Sequence, residues 1–263
     1  MLNDFLEQAS PLRGRFSNLD AVGVSIGGPL DPETGVIYSP PNLPGWDAIP
    51  LRDMLTRMLR LPVRVEHDAV ACLAAEWLWG AAKGSTHAAY FTAGTGFGAG
   101  LMINGRIVRG PSGQTSELGH IRLADHGPRT YGKEGCVESF CSGTGIALLA
   151  REMFPNDFAT LSDTRTLCRQ SEAGSLSAKK VLSVSAMWTG RVCAMLADMF
   201  GPQVIILGSM ARYLPAWWMA EVREELLREA LPRNCSHIRL VAPGLGDLVQ
   251  DLSSISPCLF PYD

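Results

Sequence analysis

The sequence is short of charge. Only 19% of its 263 residues are Asp, Glu, Lys or Arg, against roughly 25% in an average globular chain, and 23 basic residues nearly balance 26 acidic ones for a net charge of −3. That balance supplies no electrostatic footprint for nucleic acid or an anionic membrane surface and points to a small ligand. No C-x-x-C pair occurs among the cysteines Cys72, Cys136, Cys141, Cys168, Cys193, Cys235 and Cys258, an odd and scattered set that reads as reduced, mostly buried thiols of a cytoplasmic protein. Long apolar runs are missing too. The uncharged stretch between Lys83 and Arg106 is broken by Gly94, Gly96, Gly98, Gly100 and Gly105, so no membrane span is expected. Met1–Ser10 carries Asp4 and Glu7 and no basic region, which is unlike a signal peptide. A G-x-x-x-x-G-K-[ST] motif is absent, and the glycines at 94, 96, 98 and 100 lack G-x-G-x-x-G spacing, which disfavours P-loop and Rossmann sites.

What is present alternates between strand and helix. Ala21–Ile26 is a β-prone run ended by Gly27-Gly28-Pro29, and Gly35–Tyr38 is a second; the turn around Asp31-Pro32 reads as joining them in one sheet. Leu51, Met54, Leu55, Met58 and Leu59 recur at helical spacing, with Pro62 separating that helix from a strand over 63–66. Asp68 stands where an N-cap belongs, ahead of a nearly all-apolar helix over 69–82. From Ala88 to Val108, apolar runs flank a glycine-rich turn and then Asn104-Gly105, a strong hairpin signal. Further helices are expected over 143–154, 175–200 and 216–230, with short strands over 203–207 and 237–241. This order is an α/β signature. Met187, Trp188, Trp217 and Trp218 are candidates for an interface or for core.

Gly23-Val-Ser25-Ile-Gly27 matches G-x-S-x-G, but Gly28-Pro29 follows where a nucleophile elbow needs a helix. These glycines read instead as chain passing close to something. Thr92-Ala-Gly94-Thr95-Gly96-Phe-Gly98 can aim backbone N–H groups at phosphate oxygens; a tight hairpin is the plainer reading. It has company in three acid-bearing clusters: Glu66-His67-Asp68 at a strand end, Glu117-Leu-Gly-His120 in a polar loop, and Gly135-Cys136-Val-Glu138 ahead of a helix. A glycosidase pair of Glu117 and Glu138 would leave the phosphate-type glycines unexplained.

In this order the segments resemble the ROK sugar kinases and repressors. The matches are Gly-Val-Ser-Ile-Gly-Gly-Pro-Leu-Asp (23–31), Pro-Asn42-Leu-Pro-Gly-Trp46, Glu66-His67-Asp68, Thr92–Gly100, Glu117–His120, Gly135–Glu138, Pro202–Gly208 and Leu245-Gly-Asp247. The resemblance implies an actin-like ATPase (ribonuclease H-like) α/β fold, two domains around a cleft, with 1–70 in a small domain, 71–247 in a large one, and 248–263 packing on the former. It implies transfer of the ATP γ-phosphoryl group, with Mg2+, to a hexose or N-acetylhexosamine. Asp68 falls on the general base, an economical choice because phosphoryl transfer asks mainly for positioning and charge stabilisation. Glu117, His120 and Glu138 fall on positions that bind ring hydroxyls, with Asn42 and His67 lining the same pocket. Thr92, Gly94, Thr95 and Gly96 would face the phosphates and Gly208 the adenosine. A homodimer is compatible with the family.

The chain also departs from the pattern. The family's zinc motif joins the His of E-x-G-H to C-x-C-G-x-x-G-C, and here Arg129 and Tyr131 replace the first two cysteines. His120 and Cys136 alone do not make a closed tetrahedral site, so structural zinc is not expected; His120 is expected to keep its orientation through hydrogen bonds, with Arg129 and Tyr131 packing where the metal would sit. His67 stands where the family has Asn. No D-x-G-G-T precedes Ala21, so the small domain is expected to be truncated at its front, with Leu2–Leu19 as the helix that follows the first strands. The C-terminal segment, with Pro257 and Pro261, is expected to lack the family's last helix. A second reading keeps the sugar pocket without turnover, as a regulatory relative or an inactive fragment.

Overall fold

A computed structural model describes residues 2–11, 14, 18–40, 43–111, 113–161 and 163–262. The chain opens with α1 (Leu2–Ala9), then β1 (Val22–Ile26), β2 (Leu30–Asp31), β3 (Val36–Ile37), β4 (Ile49–Pro50), α2 (Leu51–Leu59) and β5 (Val63–His67). β1 runs parallel to β5, with Ile26 opposite His67. β2, β3 and β4 form a separate three-stranded sheet. The two runs expected in one sheet therefore lie in different ones. The Asp31 carboxylate accepts from Glu33 N–H at 2.8 Å and Thr34 N–H at 3.3 Å, a turn that folds Val36–Ile37 back on Leu30–Asp31 rather than on β1. Apolar residues from these elements, among them Leu30, Ile37, Trp46, Leu51, Leu55 and Val65, form a core of their own.

After α3 (Asp68–Trp79), the strands β6 (Ala88–Ala93), β7 (Phe97–Ile103) and β8 (Arg106–Ile107) form a meander. Asn104 and Gly105, both at positive φ, make the β7–β8 turn. Next come β9 (Arg129–Thr130), β10 (Lys133–Glu134), α4 (Val137–Cys141), α5 (Gly143–Met153), α6 (Pro155–Phe158), α7 (Thr164–Glu172), α8 (Leu176–Phe200), β11 (Val204–Ser209), α9 (Ala216–Glu229), α10 (Pro232–Cys235), β12 (Arg239–Val241) and α11 (Val249–Leu259). A five-stranded sheet in the order β12-β11-β6-β7-β8 divides the larger core. Ala89, Phe91, Ile205 and Leu207 point to the face covered by α4, α5 and α8, and Ala88, Tyr90, Val204 and Ile206 to the face covered by α3 and Phe260. The period-2 alternation of β6 and β11 thus fills both sides. Trp218 belongs to this core at 2% exposure, and Trp188 stacks on Phe140 with ring centroids 4.9 Å apart.

The segment expected to lack a helix forms α11. Pro257 lies inside it and has no N–H for the carbonyl four residues back, of Ser253; the Ser256 hydroxyl lies 3.1 Å from that carbonyl and 2.7 Å from the Ala71 carbonyl of α3, which takes the shorter bond. α11 packs on α3 and β1, where a Cβ on Gly23 would fall 1.9 Å from the Ser254 carbonyl oxygen. The first glycine of the G-x-S-x-G match is therefore a helix-packing glycine. No helix among the described residues is long and apolar enough to cross a membrane.

Candidate active site

β1 and β5 end side by side, and α3 starts where β5 stops, so their termini open into one cleft, as parallel strand ends do in open α/β sheets. His67, rather than Asp68, caps α3: its Nδ1 accepts from Ala69 N–H at 3.3 Å. Asp68 is the first helical residue, with Oδ1 accepting from Ala69 N–H at 2.6 Å and 41% of its side chain exposed. Among the described residues nothing is hydrogen-bonded to Oδ2, which is free for a ligand. The cap is legible only in hindsight, because His is a rarer cap than Asp. His67 is buried, its ring lying where Cβ atoms on Gly28 and Gly98 would come within 2.8 and 3.2 Å.

Glu117 precedes a single 3-10 turn, Leu118–His120. A Cβ on Gly119 would sit 2.1 Å from the Phe97 carbonyl oxygen, so the glycine of Glu-Leu-Gly-His lets this loop press against the start of β7. Glu138 lies in the first turn of α4 and accepts from Phe97 N–H at 3.0 Å. Burial pushes the Glu138 carboxyl up; the Phe97 N–H, the Thr130 hydroxyl and His120 pull it down by less, and Glu117 adds to the rise. A cavity of about 610 Å³ gathers His67, Asp68, Glu117, His120 and Glu138 together with Thr92, Gly94, Thr95 and Gly96. Asn42 lies outside the described residues.

A second cavity, of about 690 Å³, is lined by Asp163, Arg165, Arg169, Arg212 and Tyr213. Gly94, Thr95 and Ser209 line both cavities. Gly208 itself is buried in β11, where a Cβ would fall 2.2 Å from the Tyr90 hydroxyl; its neighbour Ser209 is the residue that reaches the cavities. The arginines went unread because no motif spacing marks them: they come from α7 and from the turn after β11.

The residues present do not fit a zinc site. Among the described residues no group of three or more His, Cys, Asp or Glu could hold a metal ion. Cys136 Sγ lies 3.2 Å from the hydroxyls of both Thr130 and Ser139, in a buried polar triad. Tyr131 packs on His120, as expected of it, whereas Arg129 points away, with 70% of its side chain exposed and Glu134 at 4.0 Å.

Parallel strand ends, a glycine turn between two cavities and a carboxylate at a helix start make up an open α/β cleft. The chain belongs to the ROK family, whose model matches residues 1–248. It is 32% identical over 236 residues to a glucokinase of Halalkalibacterium halodurans, spanning 82% of this chain and 70% of that protein. Over 230 residues it is 26% identical to the DNA-binding transcriptional repressor Mlc of Escherichia coli, spanning 85% of this chain and 57% of Mlc. The crystal structure of a ROK hexokinase from Thermus thermophilus superposes with a TM-score of 0.84 at 31% identity, covering 99% of this chain and 86% of that one. A ROK glucokinase from Streptomyces griseus, solved with glucose and AMPPNP, gives 0.81 at 25% identity, covering 96% and 86%. The fold is that of the ROK sugar kinases, the actin-like ATPase fold.

Proposed function

We propose that the protein transfers the γ-phosphoryl group of ATP to a hydroxyl of a hexose or N-acetylhexosamine, with Asp68 as general base. The observation that carries this reading is the sharing of Gly94 and Thr95 by two cavities, one holding Asp68 and the acids, the other the arginines. A phosphate at that junction is reachable from both sides. Asp68 would orient the sugar hydroxyl and accept its proton as the new phosphorus–oxygen bond forms. Glu117, Glu138 and His120 would hold ring hydroxyls, which both donate to carboxylates and accept from imidazole. Thr92 and the 94–96 turn would receive phosphate oxygens, and Arg165 and Arg212 would offset their charge.

Mg2+ takes one or two carboxylates beside phosphate oxygens and water; Asp68, beside the glycine turn in the first cavity, would be one of them, and the ion would neutralise charge on the transferring group. We assign part of the sugar site to residues 1–70, which have a core of their own and on whose β1 the C-terminal helix packs, and the glycine turn, the nucleotide cavity and the sugar-holding residues Glu117, His120 and Glu138 to 71–247. The reading goes with a cytoplasmic protein, where ATP is supplied. The test is sugar-dependent ADP release across hexoses and N-acetylhexosamines. The likeness to Mlc favours a second reading, sugar binding without turnover, which calorimetric sugar binding with no ADP release would support.

A further inference from the structure

Tyr131 and Gly132 form the two-residue turn between β9 and β10, at φ 48° and 75°. A left-handed conformation suits Gly or Asn; for another side chain it costs about 1–2 kcal/mol and persists only where the surroundings impose it. Here the strand pair and the buried triad of Thr130, Cys136 and Ser139 hold the turn from beneath. The strained position brings a phenol to the acid pocket. Tyr131 lines the cavity of Asp68, Glu117 and Glu138, and its ring stands edge-on to His120, with centroids 5.1 Å apart at 87°. The His120 Nδ1 is buried without a hydrogen-bond partner among the described residues, so packing against Tyr131, not a hydrogen bond at that atom, steadies the imidazole. Burial, then the charges of Glu117 and Glu138, push the Tyr131 phenol up, which keeps its proton on at neutral pH. Tyr131 as a whole is 42% exposed and lines the cavity, so a ligand there can reach it.

We propose that Tyr131 is a specificity-determining residue of the acceptor site: its ring sets the orientation of His120, and its hydroxyl bonds the sugar. The inference rests on the sugar-kinase reading and adds to it a donor that carboxylates cannot supply, fitted to a ring oxygen, a hydroxyl or an N-acetyl carbonyl. The experiment pairs steady-state kinetics of Tyr131→Phe and Tyr131→Leu, in the full chain, with imidazole NMR of His120 in the sugar-free protein. Tyr131→Phe is expected to keep the His120 resonances and to raise the KM for sugar about fivefold to tenfold, the loss of one hydrogen bond, with the KM for ATP unchanged. Tyr131→Leu is expected to move the His120 resonances and raise the sugar KM further. A sugar KM in Tyr131→Phe equal to that of the parent protein overturns the hydroxyl contact, and unmoved resonances in Tyr131→Leu overturn the ring's role. A parent protein that binds no sugar by calorimetry sinks the kinase reading and the hydroxyl contact with it, while the NMR arm still decides the role of the ring.

Discussion

The Glu138 carboxylate accepts a hydrogen bond from the Phe97 N–H at 3.0 Å. This single bond joins the acid cluster to the glycine turn, so the groups expected to hold sugar and those expected to hold phosphate share one support.

A methyl group at Gly96 would lie 2.8 Å from Glu138 Oε2. The carboxylate can swing aside where backbone could not, so Gly96→Ala is expected to fold but to lose the Phe97 bond. Bonds to charged groups contribute about 1.5–3 kcal/mol to stability, so the variant is expected to unfold at a lower temperature and, with Glu138 displaced in the pocket, to have a lower kcat/KM. Kinetics and thermal unfolding of the variant check this; an unchanged kcat/KM would contradict the link.

Burial holds the Glu138 carboxyl above its ordinary value of 4.5. The native state then keeps this proton more tightly than the unfolded chain, so the group's favourable contribution is full below 4.5 and is lost as pH rises through the native value. Glu138→Gln removes that dependence. Urea unfolding from pH 4 to 8 should show the variant gaining stability relative to the parent protein as pH rises; a pH-independent difference would count against the burial.

Glu76 is fully buried and accepts from the N–H groups of Ala81 at 2.6 Å and of Gly244 and Leu245 at 3.0 Å. It pins the loop after β12 to the end of α3. Glu76→Ala would strand these donors at a cost of about 3 kcal/mol or more, while Glu76→Gln keeps an acceptor and should lose less. Denaturant midpoints of the two variants test the order.

Much of the fold was legible because it rests on local signals. The apolar spacing of Leu51–Leu59 gave α2 and the Asn104-Gly105 dipeptide gave the β7–β8 turn. Pairing between distant segments was not legible: β1 chose β5 over its sequence neighbour because the Asp31 turn diverted that neighbour. α11 was hidden by Pro257; the helix is tied to α3 by the Ser256 hydroxyl on the Ala71 carbonyl at 2.7 Å, a partner far away in sequence. In the site, the motif residues from Asp68 to Glu138 do converge on one cavity. Tyr131 as a pocket residue and the arginines of the second cavity answer to three-dimensional neighbours rather than spacing.

The central claim is that Asp68 activates a sugar hydroxyl at the junction of the two cavities. Phosphorus NMR of the protein with ATP, Mg2+ and a panel of hexoses and N-acetylhexosamines tests it most directly. The account predicts a sugar phosphate formed in step with ADP, and a rate lowered about 10²–10⁴-fold in Asp68→Asn with sugar binding retained. ADP formed without sugar phosphate, or a rate unchanged in Asp68→Asn, would contradict it.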